Sequence, residues 1–187
     1  PYWWADVDWP ECSTDLPKDT DVLIVGAGYT GLSAAIAASD TGASVTVIDA
    51  VQPGRGASTR NGGMFGAHPR LPWDALAQRF GESTANGVFA EAHTALEFAK
   101  TLIVEEGIDC DLQQAGRIQL AWSRAHFEEQ KKLAEVIAAK SDVNVQVVQR
   151  SGLSSEIDTE KYFGGIVFSD HCGIHPAKFH IGLLTAA

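Results

Sequence analysis

Four apolar residues in succession, Val22-Leu23-Ile24-Val25, stand between polar Asp21 and a glycine-rich turn. An unbroken run of this kind predicts a strand covered on both faces. Leu32, Ala35, Ile36 and Ala38 follow at helical spacing, so a helix is expected over residues 30–39. Asp40, Thr41 and a left-handed Gly42 would close it. A second apolar run, Val45-Thr46-Val47-Ile48, ends in Asp49 and predicts another strand. Residues 21–49 thus read as a βαβ unit.

Farther on, the period changes twice. Residues 73–80 predict a short helix ending at Gly81. A long one follows, with Val88, Phe89, Ala92, Leu96, Ala99, Ile103 and Val104 on one face and Gly107 as its stop. Gly116-Arg117-Ile118-Gln119-Leu120-Ala121-Trp122 alternates apolar and polar residues, as a half-buried strand does. Ser123 is a suitable N-cap for a helix over 124–140 that buries Phe127, Leu133, Val136 and Ile137. Strands are expected at 143–148 and 165–168, with a short helix at 151–161 between them. These segments predict a second, substrate-facing sheet of α+β type. Pro176 then opens a last helix carrying Phe179, Ile181, Leu183 and Leu184. The sequence stops at Ala187 without a cap, which reads as a helix cut in its middle.

Residues 1–20 form an arm. Pro10 and Pro17 argue against regular structure, and Tyr2, Trp3, Trp4 and Trp9 are expected to pin it onto a neighbouring surface.

Composition narrows the function classes. Of 187 residues, 45% are hydrophobic, enough for a real core, and the formal net charge is −10. No basic run stands out, so nucleic acid is not an expected partner. The three cysteines form no CxxC pair and show no metal spacing, which predicts reduced thiols, no metal and a cytoplasmic setting. No stretch reaches the ~18 apolar residues of a membrane span, so no membrane is expected.

The chemistry is concentrated in two loops. In Gly26-Ala27-Gly28-Tyr29-Thr30-Gly31, the first glycine allows a tight turn, the second lets backbone approach a pyrophosphate, and the third lets helix pack on strand. The helix N-terminus offers free N–H groups to phosphate, and Asp49 can accept hydrogen bonds from both hydroxyls of an adenosine ribose. The second loop, Gly54-Arg55-Gly56-Ala57-Ser58-Thr59-Arg60-Asn61-Gly62-Gly63, is costly in chain entropy and suggests backbone wrapped closely around a ligand. His175, just before Pro176, reads more readily as a helix cap than as a substrate contact.

Together the two loops resemble the FAD-dependent amine and amino-acid oxidoreductases of the D-amino-acid oxidase superfamily. The branch that includes gamma-glutamylputrescine oxidoreductase, glycine oxidase and sarcosine oxidase is the most similar. The aromatic start Tyr2-Trp3-Trp4 and the stretch Gly173-Ile174-His175-Pro176-Ala177-Lys178 are similar to the first of these. The resemblance implies an α/β Rossmann-like FAD-binding domain of glutathione-reductase type, plus part of an α+β substrate domain. It divides the chain into an arm (1–20), a first FAD-binding segment (21–110), a substrate-domain segment (111–172) and a returning helix (173–187). Gly26, Ala27, Gly28, Tyr29, Thr30 and Gly31 would hold the pyrophosphate and Asp49 the ribose. Ala57, Ser58, Arg60, Asn61, Gly62 and Gly63 would line the ribityl chain and ring, with Met64 beside the ring.

Some relatives attach FAD through a histidine in the second loop. Asn61 stands at that position here, so non-covalent FAD is expected, with His68 as the alternative attachment point. The implied reaction oxidises the C–N bond of a small-molecule amine or amino acid to an imine by hydride transfer to flavin N5, with oxygen as acceptor. A neutral amine needs no base, so no catalytic side chain is named. Relatives of this kind are about twice as long, which implies a missing C-terminal half as partner. Two alternatives remain: an NAD-dependent dehydrogenase domain, which leaves Arg60-Asn61-Gly62-Gly63 unexplained, and a non-catalytic flavoprotein subunit.

Overall fold

The computed structural model describes residues 1–67 and 69–187. Its elements in chain order are β1 (Val22–Val25), α1 (Tyr29–Ser39), β2 (Val45–Ile48), β3 (Met64–Phe65), α2 (Trp73–Phe80), α3 (Glu82–Glu105), β4 (Arg117–Leu120), α4 (Arg124–Lys140), β5 (Val145–Gln149), β6 (Gly164–Phe168), β7 (Cys172–Gly173) and α5 (Pro176–Ala186). Short 3₁₀ turns occupy Tyr2–Trp4, Ala57–Thr59 and Arg150–Ser155. The last of these stands where a short helix over 151–161 was expected. No helix among the described residues is long and apolar enough to cross a membrane.

The chain forms two compact units. The first comprises Pro1–Met64, Thr101–Leu112 and Ile174–Ala187. In it β1 and β2 pair in parallel, Val22 opposite Val45 through Val25 opposite Ile48. The crossover helix α1 buries Leu32, Ala35 and Ile36. Gly26 has φ +105° and Gly42 φ +82°, conformations that a Cβ disfavours, so both turns need glycine. Helix α5 starts at Pro176 and buries Ala177, Phe179, His180 and Leu183. Its Gly182 faces Ile108, whose side chain fills the space a Cβ would need.

One expectation for β1 is corrected. Only one face is covered: Leu23 is 56% and Val25 79% exposed. An apolar run reports that a strand can be buried on both faces; covering the second face requires a layer that the described residues do not place there.

The second unit comprises Phe65–Lys100 and Gln113–Gly173. Its antiparallel sheet has the order β4-β6-β5, with Arg117 opposite Phe168 and Gln149 opposite Gly164. The central strand β6 is the most buried, and its Ile166 and Phe168 join Phe89, Leu96, Ala134 and Ile137 in one core. Ser123 caps α4, its hydroxyl accepting the His126 N–H at 3.1 Å.

Residues 65–100 therefore do not group with the βαβ unit, as a continuous first segment over 21–110 would require. Leu76, Phe89 and Leu96 share one buried core with Ala134 and Ile137 of α4 and Ile166 and Phe168 of β6, which lie far downstream in sequence. The boundary at Lys100/Thr101 falls inside α3. Along that helix Ala85, Phe89, Leu96, Leu102 and Ile103 are buried, whereas Val88 is 38% and Val104 76% exposed. The buried stripe thus runs beside the one expected from apolar positions alone.

Candidate functional site

The glycine turn after β1 is braced from three sides. Gly26 N–H donates to Ile48 O at 2.7 Å, tying the turn to β2. Ala27 N–H donates to Asp49 Oδ2 at 2.8 Å, so the acid at the end of β2 is held beside the turn. The Ala27 carbonyl contacts His180 Nε2 at 2.7 Å. His180 is fully buried on α5, and burial pushes its pKa below the ordinary value, favouring the neutral ring. That neutral ring donates from Nε2 to the carbonyl. A Cβ on Gly31 would overlap Gly26 O and lie 3.3 Å from Ile24 Cγ2, so the absence of a side chain lets α1 sit directly on the turn.

The N-terminus of α1 has donors to spare. Leu32 N–H makes a helical bond to Gly28 O, so the earlier amides have no acceptor within the helix. Tyr29 N–H is taken by Ser58 Oγ at 3.1 Å. Thr30 and Gly31 open toward a cleft of about 570 Å³ that Gly26, Gly28, Tyr29, Ala57, Ser58 and Asn61 also line. The helix dipole adds positive potential at the same place.

Asn61 organises the second loop. Its Nδ2 donates to Ser58 O at 2.8 Å, and its Oδ1 accepts the Gly63 N–H at 2.9 Å. Gly63 has φ +70°, and a Cβ there would run into Ile174 O. Ile174 N–H returns a bond to Gly63 O at 2.9 Å. His175 caps α5, its Nδ1 accepting the Lys178 N–H at 3.2 Å, which is the capping role the sequence favoured. Lys178 in turn pairs with Asp111 at 2.8 Å.

A second cavity of about 740 Å³ lies at the end of β2, lined by Val47, Asp49 and Val51 on one side and by arm residues including Trp9 and Leu16 on the other. Asp49 Oδ1 accepts the Val51 N–H at 3.3 Å. Each carboxylate oxygen accepts one protein bond and keeps lone-pair capacity for another.

The structure thus brings Gly26, Gly28, Tyr29, Thr30, Gly31, Ala57, Ser58 and Asn61 to one cleft. Asp49 adjoins it through Ala27, which is itself 2% exposed and offers only backbone. Arg60, Gly62, Gly63 and Met64 lie outside that lining. The Arg60 guanidinium stands over the Trp4 ring at 5.0 Å, and Met64 is 78% exposed. His68, the alternative attachment point, lies outside the described residues. Two residues were missed from sequence, His180 and Thr59, both fully buried. His180 sits three residues from both Ala177 and Leu183, on the apolar stripe of α5, and that spacing was a usable signal.

Tyr29 gives the site a measurable pH signature. Its hydroxyl donates to Pro176 O at 3.1 Å, and burial, the main cause, pushes its pKa from 10.0 to about 12. The fold therefore prefers the neutral phenol. That contribution is complete below pH 10 and is lost as pH rises through about 12. Tyr29→Phe should flatten the decline in stability across this alkaline window, measured by chemical unfolding at stepped pH. An unchanged alkaline slope in the variant would show that Tyr29 titrates alike in the folded and unfolded chain.

Known proteins are similar to this chain in sequence and in fold. The sequence model of the DAO family, FAD dependent oxidoreductase, matches residues 21–187. The chain is 30% identical over 171 residues to the probable oxidoreductase OrdL of Rhizobium meliloti, covering 91% of this chain and 40% of that protein. It is 31% identical over 166 residues to gamma-glutamylputrescine oxidoreductase of Escherichia coli, covering 87% and 38%. The chain therefore spans about two fifths of the length of these relatives. Among solved structures, L-amino acid deaminase from Proteus myxofaciens superposes with a TM-score of 0.75 at 17% identity, covering 96% of this chain and 38% of that one, which shows a shared fold. With nearly the whole chain matched beyond the arm, and the glycine turn built as described, the protein belongs to the DAO family of FAD-dependent oxidoreductases.

Proposed function

We propose that this chain supplies the pyrophosphate and adenosine part of an FAD site, in an enzyme that oxidises the C–N bond of an amine or amino acid to an imine with oxygen as acceptor. The observation that carries the reading is the Ala27–Asp49 bond. It holds an acid with spare acceptor capacity beside a helix N-terminus with spare donors. Ribose hydroxyls and a pyrophosphate require that pair of chemistries at close quarters. The residues present fit the group: backbone amides and the Ser58 hydroxyl face the cleft, and Gly28 and Gly31 place no side chain in the way.

When bound, FAD supplies a two-electron acceptor for the C–N bond. The chain's own residues bind and orient. The Thr30 and Gly31 amides would take the phosphates, and Ala57 and Ser58 would line the ribityl chain. Asp49 takes the ribose. Asn61 holds the second loop, with Arg60, Gly62, Gly63 and Met64, around the ribityl chain and ring. Asn61 is already committed to its own loop by three backbone contacts and is not a nucleophile, which supports FAD held without a covalent bond. The first unit is the FAD-binding part and the second a substrate-domain segment. The uncovered face of β1 supports the packing of a further segment of the same polypeptide against Leu23 and Val25.

The test is to purify the full-length polypeptide, release its flavin with acid, and mix the holoprotein anaerobically with a panel of amines and amino acids. Released FAD and bleaching of the flavin band by at least one amine are the expected results. A colourless protein that binds NADH would overturn the reading. A flavoprotein reduced by none of the panel would make it a non-catalytic subunit.

A further inference from the structure

The arm is more than a tail resting on the surface. Trp4 Nε1–H donates to Thr59 Oγ1 at 2.8 Å. Thr59 is fully buried, and its own O–H donates a hydrogen bond to Gly54 O. Trp3 Nε1–H donates to Asn61 O at 2.8 Å. The Arg55 guanidinium lies over the Trp4 ring at 4.3 Å and the Trp9 ring at 5.0 Å, while Gln52 Oε1 orients it from the side at 2.7 Å. The second guanidinium, Arg60, covers Trp4 at 5.0 Å. Three indoles separated by some fifty residues from the second glycine-rich loop therefore grip its start, middle and end.

We infer that the arm is a built-in clasp for the second loop, with Trp4 as the positioning residue that fixes its cofactor-ready shape. The physical need is plain. A loop this rich in glycine has many conformations to lose, and whatever ligand orders it must offset that entropy. Trp4 orders it in advance. Its N–H fixes the Thr59 hydroxyl, so Gly54 keeps its left-handed turn (φ +84°). Its ring holds both guanidiniums through cation–π attraction, and neither is among the residues that line the cleft with Ser58 and Asn61. The two charges thereby become part of the clasp. The consequence for FAD rests on the function proposed above; the ordering of the loop does not.

Two variants separate the contributions. Trp4→Phe keeps a ring face for Arg55 and Arg60 but removes the N–H; Trp4→Ala removes both. In the full-length polypeptide, amide hydrogen exchange over residues 54–63 should speed up about tenfold in Trp4→Ala and by a smaller factor in Trp4→Phe. The FAD dissociation constant of the apoprotein should rise about tenfold and by a smaller factor in the same order. Unchanged exchange in a folded Trp4→Ala protein overturns the inference. If that variant does not fold, unchanged exchange in Trp4→Phe overturns it. Faster exchange with unaltered FAD affinity would show that the clasp does not serve the cofactor, and would overturn that half. A wild-type protein that binds no FAD sinks the proposed function instead, and the exchange data alone then decide whether the arm holds the loop.

Discussion

Gly31→Ala should be among the most damaging single-methyl additions to the first unit. The new Cβ would overlap Gly26 O, a backbone atom, and press on Ile24 Cγ2 at 3.3 Å. Neither can move cheaply. Gly26 is pinned by its N–H bond to Ile48 O, and Ile24 belongs to β1 in register with Val47. Relief requires α1 to lift from the strand, which uncovers Leu32 and Ala35, both fully buried. We expect a loss of about 3 kcal/mol, the upper end for overpacking against a rigid neighbour. Chemical unfolding of the full-length protein, followed by circular dichroism, measures it. Gly28→Ala is the internal control. Its Cβ meets only the Ser58 hydroxyl, at 3.1 Å, and that side chain can rotate, so its stability cost should stay below about 1 kcal/mol. Equal costs for the two variants would mean that the third glycine is not the contact holding helix to strand.

Asp49→Ala should act the other way round, leaving the fold and removing the ligand. Asp49 is exposed, so water can take the place of its carboxylate at the exposed Val51 amide and in the opening left beside the buried Ala27 amide. The loss falls on the hydrogen bonds that a charged carboxylate would make to ribose hydroxyls. Such bonds contribute about 1.5–3 kcal/mol each, so the FAD dissociation constant should rise about 100-fold or more. Titrating the apoprotein with FAD and with riboflavin separates binding from folding, since riboflavin has no adenosine ribose. Riboflavin affinity should be the same in both proteins. If FAD binds Asp49→Ala as tightly as wild type, Asp49 braces the turn and does nothing for the ligand.

Local rules carried the reading of both units a long way. Helix α1 ends at Ser39 as its apolar spacing implied, and Gly42 adopts the left-handed conformation expected of a cap. Helix α2 runs Trp73–Phe80 and stops at Gly81, φ +86°. Ser123 and His175 both cap the helices they precede. These features depend on a few consecutive residues: spacing, a cap, a glycine with positive φ. The candidate cleft was legible for the same reason, since most of its lining comes from two short contiguous motifs.

What the sequence by itself determined is the set of elements, the two loops and the kind of ligand chemistry they can offer. Each follows from torsional preference and donor or acceptor type within a handful of neighbours. Only the tertiary structure decided which faces are covered, which segments group together and where each side chain points. Leu23 and Val25 read as buried yet stand exposed, because burial is decided by partner layers and not by the strand's own residues. Residues 65–100 joined the second unit because Phe89 and Leu96 found Ile137 and Phe168, partners many residues away. The Arg60 guanidinium lies over Trp4, a neighbour that no local pattern names, because an aromatic face was brought to it from the far end of the arm. His180 became a brace for the Ala27 carbonyl through a contact spanning most of the chain. The glycine turn could be recognised from six residues; what holds it in shape comes from β2, the second loop and α5, which only folding brings together.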